Sequence, residues 1–190
     1  MTAIDISALT PQISDRELEQ LCRDNPETRF ETTPQGRLIV MSPTGSESGK
    51  RNSSLVAQIW YWNQQHKLGV VFDSSTGFKL SNGATRSPDV SWVQQAKWDS
   101  LSKQQQRKFA PIDPDFVIEL MSPTDDLTQL QSKMLEYMDC GVKLGWLINP
   151  DEEQVEVYRQ RQDKEVLDKP THLIGEDVLP NLSVDLTEIF

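Results

Sequence analysis

Glu119 has no ordinary reason to stand where it does. It lies inside Phe116-Val-Ile-Glu-Leu-Met121, a near-continuous apolar run with the pattern of a strand buried on both faces. In a strand, Phe116, Ile118 and Leu120 share one face, and Val117, Glu119 and Met121 share the other. An ionised carboxylate there is costly unless a cation or a metal ion compensates it. Taken alone, Glu119 reads equally well as the partner of a buried Lys or Arg. A second acid changes the reading. Asp89 follows Pro88 in Arg86-Ser-Pro-Asp89-Val-Ser-Trp-Val93, at the start of another apolar strand. Pro-Asp by itself is a strand-entry signal. On neighbouring strands, however, the two carboxylates would repel, and a Mg²⁺ ion between them would remove that repulsion. Magnesium retains several waters, one of which can become a nucleophile.

Lys133 is the third element. Leu127, Leu130, Met134, Tyr137 and Met138 form the apolar stripe of a helix, and Lys133 lies at its edge, four residues before Tyr137. A lysine there is ordinarily a solvated flank with a buried stem. If its ammonium reaches the two acids, it can orient or deprotonate an attacking water, or stabilise charge on a phosphate. Other chemistries lack their residues. The two histidines, His66 and His172, are far apart, and the two cysteines, Cys22 and Cys140, form no CxxC pair, which argues against zinc. There is no GxSxG elbow. Gly45-Ser-Glu-Ser-Gly49-Lys50-Arg51 is one residue short of a phosphate-binding loop and has Arg where Ser or Thr should hold magnesium.

The elements that must position these groups follow from capping and periodicity. Ser14-Asp-Arg-Glu17 is a capping box that opens a helix over about 14–24. Arg29–Thr33 and Arg37–Met41 flank Gln35-Gly36 as a hairpin, and Ser42–Gly45 is a turn. Leu55, Val56, Ile59 and Trp60 have helical spacing, predicting a helix from Glu47 to about Lys67 that Gly69 closes. Strands are predicted at 70–72, 77–80, 89–93, 116–121, 145–148 and 155–158. The polar stretch from Gln94 to Ala110 reads as an exposed helical insertion, and a helix runs from Ser122–Asp126 to Cys140 with Gly141 as its stop. Apolar residues of the tail, from Leu182 to Phe190, can still dock on the core. One late strand–helix–strand unit after several strands predicts an α/β fold with a mixed central sheet, in one domain spanning 1–190.

Composition sets further bounds. The chain has 190 residues, 36% hydrophobic and 25% charged, with five Trp, six Phe and three Tyr as core anchors. No run approaches the roughly 20 apolar residues of a membrane helix. The opening MTAIDISALTPQ has neither a basic cluster nor an apolar stretch, so no signal peptide is expected, and the protein reads as cytoplasmic with reduced thiols. A net charge of −10 argues against a non-specific DNA-coating protein, but not against an enzyme whose acids hold metal ions. Lys50, Arg51 and Arg86 read as surface charges. Trp60, Trp62 and Trp92 read as core or interface positions; exposed in a cleft, they would instead offer bases a stacking platform.

Pro88-Asp89, Phe116–Pro123, Lys133-Met-Leu-Glu-Tyr137 and Gly141–Pro150 together closely resemble the Uma2 family, also called DUF820, grouped with the PD-(D/E)XK restriction-endonuclease-like superfamily. The match covers nearly the whole chain: Gly36–Pro43 looks like the family's N-terminal hairpin and Val178–Leu182 like its C-terminal motif. The resemblance implies a restriction endonuclease-like mixed sheet flanked by helices, with an N-terminal helix and hairpin. It implies Asp89 and Glu119 as ligands of Mg²⁺ or Mn²⁺, and a further acid on the first core helix, for which Glu47 fits; Glu31 in the hairpin is the other candidate. Met121 stands where the superfamily lysine belongs, and Lys133 is the candidate substitute. The activity implied is metal-dependent hydrolysis of DNA phosphodiesters, with Asp89, Glu119, Lys133 and Glu47 as catalytic candidates and a homodimer as a plausible assembly for cutting two strands. Two alternatives stand beside it. One is an inactive nuclease-fold module that binds DNA or protein as an accessory to a mobile element. The other is a hydrolase of a small phosphorylated metabolite.

Overall fold

The computed structural model describes residues 3–5, 12–41 and 43–190, with the backbone alone at 3–5. Most of the opening segment read for a leader, and Ser42 of the predicted turn, lie outside the described residues.

The chain begins with β1 (Ala3–Asp5) and α1 (Asp15–Asp24). Helix α1 opens on the predicted capping box: the Ser14 hydroxyl accepts from Glu17 N–H, and the Glu17 carboxylate accepts from Ser14 N–H. Strands β2 (Arg29–Thr32) and β3 (Leu38–Met41) form the predicted hairpin, with Glu31 opposite Ile39. Helix α2 (Ser46–His66) follows, then β4 (Gly69–Asp73). Gly69, expected from sequence to close α2, does not do so. Lys67 does, at φ 53, and its N–H bonds Asn63 O. Gly69 is required for a different reason: a Cβ there would sit 2.2 Å from Val93 O and 2.5 Å from the Trp92 ring.

Short strands β5 (Phe78–Lys79) and β6 (Thr85–Arg86) precede β7 (Val90–Gln94). The expected single helical insertion is two short helices, α3 (Gln95–Asp99) and α4 (Lys103–Gln106), and it is not wholly exposed, because Trp98 and Leu101 pack on the core. Then come β8 (Phe116–Leu120), α5 (Leu127–Asp139), β9 (Leu144–Asn149), β10 (Gln154–Arg159), β11 (Glu165–Asp168), β12 (His172–Ile174) and β13 (Ser183–Asp185).

The central sheet has strand order β11-β10-β9-β8-β7-β4, with β8 and β9 parallel and the other pairs antiparallel. Helix α5 is the crossover between the parallel pair, as such a connection requires. Alternation along the strands divides the core in two. Trp92, Phe116, Ile118, Leu120 and Trp146 face α2 and the docked C-terminal hairpin β12–β13. Val93, Val117, Leu147 and Tyr158 face α5 through Met134 and Tyr137. Glu119 has the parity of Val117, so it emerges beneath α5. A second sheet, β1-β3-β2-β6-β5, carries Glu31 and Arg86. Among the described residues no helix is long and apolar enough to cross a membrane.

Candidate active site

Strand register brings the two predicted acids together. Val90 pairs with Ile118 in the antiparallel β7–β8 ladder, so one step back along β7 sets Asp89 level with Glu119. Leu120 N–H then donates to Asp89 Oδ2 at 2.9 Å, which fixes the aspartate against the end of β8. Helix α5 crosses above. Its Lys133 Nζ lies 2.9 Å from Glu119 Oε1, and the Tyr137 hydroxyl donates to the same oxygen at 2.8 Å. The i, i+4 spacing read from sequence therefore aims both side chains at one carboxylate.

Glu31 arrives from the hairpin. Its Oε1 accepts from Lys133 Nζ at 3.0 Å and from Ser87 N–H at 2.8 Å, and its Oε2 accepts from Arg86 at 3.0 Å. Arg86 in turn pairs with Glu136 of α5. Of the two acids weighed for the third position, the structure brings Glu31 to the site and leaves Glu47 away from it. Glu47 sits in the exposed first turn of α2, ion-paired with Arg51 at 3.1 Å, because the α2 face that packs on the sheet is formed by Leu55, Ile59 and Trp62. Arg86, expected from sequence as a surface charge, is buried and tied to two carboxylates. Met121, where the resemblance would place a lysine, lines no part of the cleft, and Lys133 lines it instead.

These groups line a cleft of about 450 Å³ between the hairpin and α5, walled on one side by Ile39, Met41 and Leu130. Among the described residues, six carboxylates face it, from Glu31, Asp89, Glu119, Asp125, Asp126 and Glu136, against the two cations Arg86 and Lys133. Burial, together with the nearby charges of Asp89 and Glu31, pushes the Glu119 carboxyl up to about 7 despite Lys133. Burial also raises Asp89, against the Leu120 N–H bond. Glu31 goes the other way: burial would raise it, but Lys133, Arg86 and the Ser87 N–H hold it below its ordinary range. Burial would lower Lys133, yet Glu119 and Glu31 keep it well above the usual lysine range, so its amine is an ammonium at neutral pH.

The donor set fits a hard divalent cation. Asp89 uses only Oδ2 and Glu119 only Oε1 in hydrogen bonds, so each keeps one oxygen without a partner among the described residues. Two carboxylates plus retained waters is a common way for Mg²⁺ to be held. No three of His, Cys, Asp and Glu group in metal-holding geometry among the described residues.

Fold and site together define a mixed α/β protein with acids level on two adjacent strands and a lysine on the crossover helix. A solved structure shares this fold: "Crystal structure of a putative nuclease belonging to DUF820 from Anabaena variabilis ATCC 29413" aligns with a TM-score of 0.77 at 24% identity, covering 94% of this chain and 97% of that one. A family model described as "Uma2: Putative restriction endonuclease" matches residues 15–187. The chain belongs to the Uma2 family. No curated protein matches it.

Proposed function

We propose that the protein is a metal-dependent DNA endonuclease that hydrolyses phosphodiester bonds. The observation that carries this reading is the convergence of Asp89, Glu119 and the Lys133 ammonium at the floor of one cleft. The unpartnered oxygens of Asp89 and Glu119 would hold Mg²⁺ or Mn²⁺. When bound, the cation supplies Lewis acidity at the phosphate and a water of lowered pKa. Lys133, being protonated, acts as a charge stabiliser at the phosphate or as an orienter of the water, rather than as a general base. The Tyr137 hydroxyl fixes the Glu119 rotamer, while Arg86 fixes Glu31, which in turn fixes Lys133. The acidity of the cleft supports a metal requirement, because a phosphodiester entering it without a cation would meet net negative charge.

The test is nicking of supercoiled plasmid, and cleavage of single-stranded and branched DNA, with Mg²⁺ or Mn²⁺ and with EDTA. Cation-dependent cleavage that Glu119→Gln abolishes is expected. No cleavage of any of these DNAs by the wild-type protein would end the enzyme reading. One observation favours the second reading, a non-catalytic binding module. Lys133 already neutralises Glu31 and Glu119, as a structural ion-pair network would. That module would keep its partner in the Glu119→Gln variant and show no cation dependence.

A further inference from the structure

A second groove opens on the far side of Asp89. A small polar pocket lined by Arg29, Thr44, Asn52 and Ser74 touches Asp89 and Leu120, which also line the cleft. The same four residues continue into a groove of about 530 Å³ along α2 that ends at Trp60. The helix contributes Gly49, Asn52, Ser53, Val56 and Trp60, a stripe at spacings of three and four. That stripe is about 16 Å long at 1.5 Å per residue.

Two features of the groove suit it to a ligand. Arg29, like Arg16, Arg37, Arg107 and Arg161, makes no ion pair or hydrogen bond through its side chain among the described residues, and it is the arginine of these that lines the groove. Arg29 has the β2 parity of Glu31, so its guanidinium emerges two positions along the same face from the candidate active site. Trp60 is 52% exposed on the outer face of α2, whereas Trp62 and Trp92 are core residues. The acids nearby are already engaged: Asp73 caps Ser75, and Glu47 pairs with Arg51.

A guanidinium without a protein partner for phosphate and an exposed indole for a base make a set suited to an unpaired strand. A duplex offers no free base face for the indole. We propose that this groove, beside the cleft, binds a single-stranded stretch of the nucleic-acid substrate, with a phosphate at Arg29 and one of its bases stacked on Trp60. The inference rests on the nuclease reading of the adjoining cleft for its choice of ligand.

The experiment measures fluorescence anisotropy of a labelled oligothymidylate with full-length protein in EDTA, where cleavage cannot occur, across a salt series. Trp60→Ala should weaken binding about tenfold, in line with loss of one stacked base. Arg29→Ala should weaken it similarly and shrink the salt slope by about 0.7, the value of one phosphate contact on a single strand. Ala57→Glu, at an exposed position in the same groove, should weaken it without touching either residue. Wild-type affinity in the three groove variants overturns the proposal, and if they also cleave normally, the nuclease reading stands without it. Loss of binding in the groove variants, together with absence of cation-dependent cleavage by wild type, upholds the groove and removes the nuclease reading. A change of oligomeric state in Trp60→Ala, with affinity unchanged, identifies the indole as a self-association contact and also overturns the proposal.

Discussion

Two buried acids sit at opposite ends of one strand, and the protein treats them differently. Asp115, just before β8, is saturated. Its Oδ2 accepts from Gln94 N–H at 2.9 Å, and its Oδ1 meets Lys143 at 3.0 Å and Lys97 at 3.5 Å, both lysines reaching water. Glu119, four residues on, takes both of its contacts on one oxygen and lies near two other carboxylates, Asp89 and Glu31. The first acid ties strands and a loop together, with each oxygen paired. The second is short of donors and crowded by like charge, the arrangement in which an external cation gains most. Buried charge alone therefore does not mark a site; incomplete compensation facing a cleft does.

Breaking this contrast should give its largest effect in activity. Glu119→Gln is expected to reduce cation-dependent cleavage on the order of a thousandfold, measured as initial nicking rates. Asp115→Asn should leave the rate within about twofold while costing roughly 2 kcal/mol of stability by urea unfolding. Equal loss of activity in both variants would erase the distinction. Lys133→Met comes next, with a rate loss of about a hundredfold as one charge stabiliser is removed. Its effect should fall on kcat rather than KM, and it should leave the activity insensitive to restoring agents that only refold the chain.

Smaller, and sharper as a diagnostic, is the pH dependence of stability without metal. The Glu119 carboxyl is raised in the folded protein, from an ordinary 4.5 to about 7. Between those values the folded state binds more protons than the unfolded chain, so this group makes stability fall as pH rises through the window and level off above it. Asp89 is raised too and acts in the same sense. Glu31 is lowered, so its contribution is already present above its ordinary value and is lost only in more acidic solution. Urea midpoints from pH 5 to pH 8 should therefore decline for wild type and flatten in Glu119→Gln. The smallest effect belongs to Glu47. Its pairing with Arg51 is exposed, and Glu47→Ala should change stability by less than about 0.5 kcal/mol and leave nicking untouched.

The parts of the site that depend on local pattern were legible in the sequence. Glu119 betrayed itself by interrupting an apolar run, Asp89 by opening a strand after Pro88, and Lys133 by its place on a periodic helix beside Tyr137. The hairpin and the long helices followed from caps and periodicity for the same reason. What was not legible depends on contacts across long separations. Arg86 meets Glu31 at a distance of 55 residues in sequence and Glu136 at 50, and nothing near Arg86 signals that it will be buried. The choice between Glu31 and Glu47 turned on which element packs over the end of β8, which strand order decides and periodicity does not. Gly69 misled because a glycine after a helix looks like its stop, while the constraint came from Trp92 and Val93 on the neighbouring strand. Strand β6, two residues long, carries too little pattern to be read at all.

The central claim is that Asp89 and Glu119 jointly hold a divalent cation. Calorimetric titration of the full-length protein with Mn²⁺ at pH 8 tests it directly. The account predicts saturable binding that both Asp89→Asn and Glu119→Gln abolish and that Asp115→Asn preserves. Binding that survives both cleft substitutions, or no binding by the wild-type protein, would contradict it.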